Sequence, residues 1–337
     1  MDIKSVLLTT AVLLTCLAVP GLAQQSLGDL VTEGGYEWLI GKWVATTDEG
    51  GKLHFEQKWG LNRNTMLVDF QMGNFKMHGM IVFVPSREEV LQISADNQGG
   101  IWKGTWRDEY GDAVHRMEQT KPDGETMKAE IVHTRVDADT MKTVMYGVDS
   151  DGYRAADPWA TVTYKRQPTD APDISAANAS TGSTGDYQKL GDLVSEADYG
   201  WMAGQWMTTV ADGRQVQLEY KWALNRHVVL VDVKSNDYQY LGMILFAPSR
   251  QEVTQIGADN AGAFWEGAWS DGYDGVALNI TRLQPDGVKQ RLEHVYTPVD
   301  KDSFKLAEYA VDADGYRSAE PRGTQTFKRR PPKKTEK

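Results

Sequence analysis

The chain has 337 residues, a formal net charge of −11 and a single cysteine. Its 11 Trp, 14 Tyr and 8 Phe supply enough core-forming area to exclude a disordered chain, and its acidity excludes general binding to nucleic-acid phosphates. The length suits about two domains of roughly 100–200 residues each.

Residues 1–23 read as a signal peptide. Lys4 gives a positive start, Val6 to Val19 an apolar stretch, and Gly21-Leu22-Ala23 the small residues before a cut at Gln24. A lipid anchor at Cys16 is the competing reading, opposed by the bulk of Thr15 and by the apolar run continuing past it. No stretch approaches the roughly 20 apolar residues of a transmembrane helix, so no transmembrane segment is expected. The chain is read as exported, to the periplasm or the medium. Cleavage removes the only cysteine, which excludes a disulfide scaffold, a thiolate metal site and a cysteine nucleophile in the mature protein.

Beyond the signal the chain is duplicated. Leu27-Gly28-Asp29-Leu30-Val31 recurs as Leu190-Gly191-Asp192-Leu193-Val194, and Trp59-x-Leu61-Asn62-Arg63 as Trp222-x-Leu224-Asn225-Arg226. Pro85-Ser86-Arg87, Trp102 and Trp106, and Asp151-Gly152-Tyr153-Arg154 recur as Pro248-Ser249-Arg250, Trp265 and Trp269, and Asp314-Gly315-Tyr316-Arg317. Every pair is separated by 163 positions without a gap, and roughly 65 of about 142 aligned positions are identical. Each copy is a whole domain. The resulting organisation is signal peptide 1–23, first domain 24–167, linker 168–189, second domain 190–330 and basic tail 331–337. The linker is rich in Pro, Ala, Ser, Thr and Gly, and lets the copies move independently unless an interface joins them.

Within the first copy a short helix is expected over Leu27 to Ile40. Lys52 to Trp59 then alternates with period two, and strands follow at Thr65 to Met72, Met77 to Val84, Val90 to Ala95 and Ile101 to Arg107. Further strands are expected at Thr126 to Thr134, Thr140 to Val148 and Ala160 to Arg166. Gly- and Asn-rich turns separate them. About nine or ten short sequential strands predict an all-β fold: two tandem antiparallel meander β-barrels with a short N-terminal helix each.

Gly41-Lys42-Trp43 and Gly204-Gln205-Trp206 open the first strand of each copy, and Lys165-Arg166 and Lys328-Arg329 end the last. This pattern resembles the calycin superfamily, in a lipocalin-like bacterial branch of unknown function. The resemblance implies that Arg166 packs over Trp43, and Arg329 over Trp206, to close each barrel. Asn62 and Asn225 stand where that family usually has glycine.

Trp102, Gly104 and Trp106 alternate onto one face of a strand, as do Trp265, Gly267 and Trp269. With Trp59 and Trp222 they are the candidate ligand-binding residues of an aromatic pocket, in which the glycine leaves room; the alternative is plain core packing. Glu56 and Asp69, with Glu219 and Asp232, are the candidate acid–base residues if the chain is an enzyme, against a reading as cross-strand pairs on a solvated face. Asp149-x-Asp151-Gly152 is half of a calcium loop but lacks its third ligand and its final Glu, and reads as a turn. None of the six His recurs in the other copy, so no metal site and no cofactor is expected.

The leading expectation is a binding protein for a small apolar or amphipathic molecule in one or both barrels. Catalysis is the lesser expectation; the resemblance implies hydration or cyclisation of a terpenoid or polyketide-type substrate. A packed interaction module with no small ligand is the third. Two equivalent cups favour binding, and one asymmetric or interfacial site favours catalysis. Oligomeric state is left open.

Overall fold

The structure is a computed structural model describing residues 25–47, 50–168, 188–272 and 275–330. The expected signal peptide, most of the expected linker and the basic tail lie outside the described residues.

The first copy forms ten strands: β1 (Gly41–Thr46), β2 (Lys52–Gly60), β3 (Thr65–Met72), β4 (Phe75–Val84), β5 (Glu89–Asp96), β6 (Ile101–Glu109), β7 (Asp112–Thr120), β8 (Thr126–Arg135), β9 (Thr140–Gly147) and β10 (Ala160–Arg166). The second repeats them as β11 (Gly204–Thr209), β12 (Gln215–Ala223), β13 (Val228–Lys234), β14 (Gln239–Ala247), β15 (Glu252–Asp259), β16 (Phe264–Gly272), β17 (Gly275–Leu283), β18 (Lys289–Asp300), β19 (Ser303–Ala310) and β20 (Gly323–Arg329). Each set closes into an antiparallel barrel in which sequential strands pair and the last returns to the first. Closure leaves no sheet edge open.

Two local expectations are corrected. The strand β7 was not anticipated; it follows β6 through Tyr110-Gly111, both at positive φ, which supplies a tight hairpin. The helical region is shorter than Leu27 to Ile40. Helix α1 (Leu27–Glu33) starts at a Ser26–Asp29 capping box and ends at Gly34-Gly35, where φ of +71° at Gly35 turns the chain. A single 3-10 turn, Glu37–Leu39, follows; α2 (Leu190–Glu196) and Gly200–Met202 repeat the arrangement.

Barrel closure explains the Gly-x-Trp pattern. Arg166 lies 4.1 Å from the centroid of the Trp43 ring and donates to the carbonyls of Trp38 and Ile40, both at 2.7 Å. Arg329 does the same over Trp206, donating to Trp201 and Ala203. Gly41 has φ of +128°, and a Cβ there would stand 2.6 Å from Arg166 Nη1, so only glycine lets the guanidinium in. Arg166→Ala removes the stacking and orphans two carbonyls; the expected loss is about 3 kcal/mol in urea unfolding of the whole chain.

The barrels are not independent. An apolar cluster spans both, drawing Met80 and Val82 (β4) and Leu91 and Ile93 (β5) from the first, and Met243 and Leu245 (β14) and Ile256 (β15) from the second. These residues point outward from their own barrels and are buried against the other. The contacts are reciprocal. A Cβ on Gly99 would meet His227 at 3.2 Å, and one on Gly262 would meet Asn64 at 3.3 Å; positions 64 and 227 are equivalent, as are 99 and 262. Asn64 also donates to the Asn260 carbonyl at 2.9 Å, and Arg87 pairs with Glu266 at 3.1 Å. The interface has the self-complementary form of a two-fold dimer, built within one chain.

Candidate functional site

One feature is present twice. Between α1 and the mouth of the first barrel lies a cavity of about 390 Å³, and between α2 and the second barrel one of about 410 Å³. Every residue lining the first cup except Glu33 has its equivalent lining the second, from Leu27 and Leu190 on the helices to Trp106 and Trp269 on β6 and β16. The walls are aliphatic and aromatic, as apolar burial requires.

Each lid is tied down by the motif that precedes β3 or β13. Leu61, Asn62 and Arg63 run at φ of 49°, 53° and 70°, and Leu224, Asn225 and Arg226 at 48°, 55° and 68°. Three successive residues in the left-handed region are strained, roughly 1–2 kcal/mol each. Asn tolerates that region better than most residues, which suits Asn62 and Asn225 to the middle of each turn. The turn aims Arg63 back over Trp59, 4.9 Å from its ring centroid, and onto the Gly28 carbonyl at 3.1 Å and Thr32 Oγ1 at 2.7 Å. Arg226 stacks on Trp222 at 4.9 Å and reaches the Gly191 carbonyl and Ser195 Oγ. Opposite, the Tyr36 hydroxyl donates to Asp108 and the Tyr199 hydroxyl to Asp271, at the cup rims. Burial, then these carboxylates, push both phenol pKa values upward.

The six candidate tryptophans separate. Trp106 and Trp269 line the cups, and Trp222 lines the second cup. Trp59 packs in the first core beneath Arg63. Trp102 and Trp265 belong to the far end of each barrel, where they donate to the fully buried Asp96 and Asp259 at 2.8 and 3.0 Å. Trp265 also lines a separate cavity of about 210 Å³ inside the second barrel. The glycine between the tryptophans makes no room for a ligand. A Cβ on Gly104 would stand 2.1 Å from the Arg116 carbonyl oxygen, so the residue admits the neighbouring strand's backbone.

The carboxylates point outward, not into a barrel, and in the first copy their face is buried, whereas Glu219 and Asp232 are partly exposed. Glu56 and Asp69 face each other across β2 and β3 and are each 5% exposed. Asp69 accepts from or pairs with His78 Nδ1 at 2.7 Å and lies 3.6 Å from Lys58 Nζ, which is 4.0 Å from Glu56. Asp69, His78 and Lys58 line a cleft of about 330 Å³ between the barrels, facing Glu219, Lys221 and Asp232. The duplication therefore brings three of the four candidate carboxylates, Asp69, Glu219 and Asp232, to one cleft, with Glu56 outside its lining. The Asp149–Tyr153 segment is a turn, Asp149 Oδ1 accepting from the Tyr153 amide at 2.8 Å. Among the described residues no cluster of three His, Cys, Asp or Glu has metal-holding geometry.

The interiors differ beneath the cups. In the first barrel Gln57 (β2) lines the cup at 1% exposure with neither amide atom hydrogen-bonded. Trp106 donates to Gln92 at 2.9 Å and is stacked on His115 with centroids 4.6 Å apart. His133 lies 5.5 Å from Trp106 and within hydrogen-bond distance, 3.0 Å, of Thr143 Oγ1. In the second barrel Tyr220 replaces Gln57 and Tyr296 replaces His133, and the Tyr220 hydroxyl donates to that of Tyr296 at 3.2 Å. Arg63 stands out in the sequence only as part of a repeated segment, and Gln57 and Tyr36 belong to no motif; position-by-position comparison of the two copies is the signal that finds them, Tyr36 and Arg63 as identities and Gln57 as a difference.

These features define a tandem pair of ten-stranded barrels with helix-lidded apolar cups, which fits a calycin-like fold. No protein-family model and no curated protein matches the chain. Among solved structures it is similar to a protein of unknown function of the DUF3598 family from Nostoc punctiforme, at 10% identity and a TM-score of 0.21 over 88% of this chain and 99% of that one. A second is a tryptophan-to-alanine mutant of the vaccine antigen transferrin binding protein B from Haemophilus parasuis, at 10% identity and a TM-score of 0.16 over 85% of this chain and 67% of that one. No described helix is long and apolar enough to cross a membrane.

Proposed function

We propose that the chain is an exported, calycin-like binding protein that holds a small apolar or amphipathic molecule in the cup of one or both barrels. One observation carries this reading: the same lidded apolar cavity is built twice, at equivalent positions, with the same lid ties in both copies. Apolar burial supplies the affinity, at about 25 cal/mol per Å² removed from water, less the cost of holding the ligand. The lid helices shield the ligand from solvent, and their exposed ties at Arg63 and Arg226 release more readily than the barrel walls. The test is native mass spectrometry of the mature chain from its own host, with organic extraction of what co-purifies. One or two apolar molecules per chain are expected, lost when Trp106 and Trp269 are both replaced by Ala. A bare mass, with no quenching of tryptophan fluorescence by an apolar panel, overturns the reading.

A second reading has its own observation. The cleft between the barrels gathers Asp69, His78 and Lys58 opposite Glu219 and Asp232, which is an acid–base set at an interface. A bare mass directs attention to hydration or cyclisation chemistry there.

A further inference from the structure

The two cups share their walls but not their floors. Gln57 brings a carbonyl oxygen and an NH₂ group to the first cup, and neither has a hydrogen-bond partner in the protein. Leaving an amide dry and unpaired at 1% exposure is costly, and buried polar groups without partners are rare in folded proteins. At the equivalent place the second cup carries Tyr220, whose hydroxyl is committed to Tyr296. The remaining unpaired atoms beside the second cup, Trp269 Nε1 and Gln255 Oε1, belong to the pair that is hydrogen-bonded in the first barrel as Trp106 and Gln92. In the second barrel Gln255 donates from its amide nitrogen to the Tyr240 hydroxyl at 3.0 Å instead, and the second cup keeps a single unpaired donor, Trp269 Nε1.

We propose that the cups differ in ligand class: the first takes a molecule bearing one neutral hydrogen-bonding group, a hydroxyl, carbonyl or carboxamide, placed against Gln57, and the second, with Tyr220 at that place, takes a more apolar one. This rests on the binding reading above and assigns the ligand class of each cup. The group is neutral because the first cup offers no free cation. Its one basic lining residue, Arg107, is bonded to Glu109 and Glu130. Behind Trp106, burial pushes His115 down to about 3 and His133 to about 4, so both are uncharged near neutrality. A carboxylate would enter with no counter-charge, whereas a hydroxyl or carbonyl needs only the amide.

The experiment compares 1-naphthalenemethanol with 1-ethylnaphthalene, which have the same shape and differ in a hydroxyl against a methyl. Binding to the whole mature chain is followed by calorimetry and native mass spectrometry. In Gln57→Leu the alcohol is expected to lose about tenfold in affinity at one of two sites, while the hydrocarbon keeps or gains affinity. Gln57→Met repeats the comparison should Leu disturb the fold, and Tyr220→Phe is expected to leave the preference between the two ligands unchanged. If both ligands bind and neither Gln57 variant changes their ratio, the assignment is overturned while the binding reading stands. If neither ligand binds the unsubstituted chain, both fall together.

Discussion

Met243→Asp is expected to lower the unfolding free energy of the whole chain by about 5 kcal/mol. Met243 points away from the interior of its own barrel, yet it is 1% exposed, because the first barrel covers it. The substitution removes a large apolar side chain, about 2–5 kcal/mol by itself, and puts a short carboxylate among Met80, Leu245 and Ile256. Asp is too short to reach solvent from there, unlike a Lys with its longer stem. The same change at Thr163, exposed on the outer face of β10, is expected to cost under about 0.5 kcal/mol. Urea unfolding of both variants supplies the check. Equal small losses at the two positions would mean that the barrels do not bury this face against each other. One cooperative transition, with both barrels losing stability together, is the expected behaviour for Met243→Asp.

That interface changes what the duplication means. Two copies joined by a linker need not touch, and the sequence allowed them to move independently. The outward face of β4 and β5 nonetheless reads as unusually apolar for a barrel exterior: Met80, Val82, Leu91 and Ile93 lie on it, and on β4 they alternate with inward Ile81 and Phe83, which are apolar as well. Such a double-sided pattern marks strands covered on both faces. The signal was present in the run Gly79-Met80-Ile81-Val82-Phe83-Val84 and its copy Gly242-Met243-Ile244-Leu245-Phe246-Ala247. Period-two reading took it simply as strand. What it does not convey is the two-fold relation, because that depends on which faces meet in space.

Legibility of the fold and of the site divides along the same line. Alternation and turn chemistry gave most strands, and the Gly-x-Trp and terminal Arg gave the register of closure, realised as Trp43 opposite Arg166. The strand Asp112–Thr120 escaped because its inward positions hold Ala113, His115, Met117 and Gln119, a polar and apolar mixture that hides the period. The tryptophans were visible, but not their division between cup and far end, which follows from how deep in the barrel each stands. The carboxylates were visible as a pair on one face. That this face is outward and covered depends on the inter-barrel contact, which no local pattern encodes. Gln57 was legible only as a difference between copies.

Acid is expected to destabilise the chain through two imidazoles buried inside the first barrel, at positions where the second barrel carries no histidine. His115 and His133 are both fully buried, and burial holds their pKa values at about 3 and about 4, against 6.5 in an open chain. The unfolded chain therefore binds up to two more protons than the folded one between about pH 6.5 and pH 4. Stability from this pair is fully present above pH 6.5 and is lost as pH falls, with a limiting slope of about 2.7 kcal/mol per pH unit for two protons. Their equivalents, Leu278 and Tyr296, take up no proton in that range. The double substitution His115→Leu, His133→Tyr gives the first barrel the residues of the second. Its unfolding free energy should change little near pH 7.5 and fall by several kcal/mol less than that of the unsubstituted chain on going to pH 4.5. Carboxylates common to both proteins, Glu130 among them, set the remaining slope. Burial raises the Glu130 pKa, but hydrogen bonds from Arg107 and Arg116 outweigh it and hold the group low. Identical pH profiles for the two chains would show that the imidazoles reach water before the barrel opens. A flattened profile would tie the acid limit of the first cup to the histidines packed behind its tryptophan.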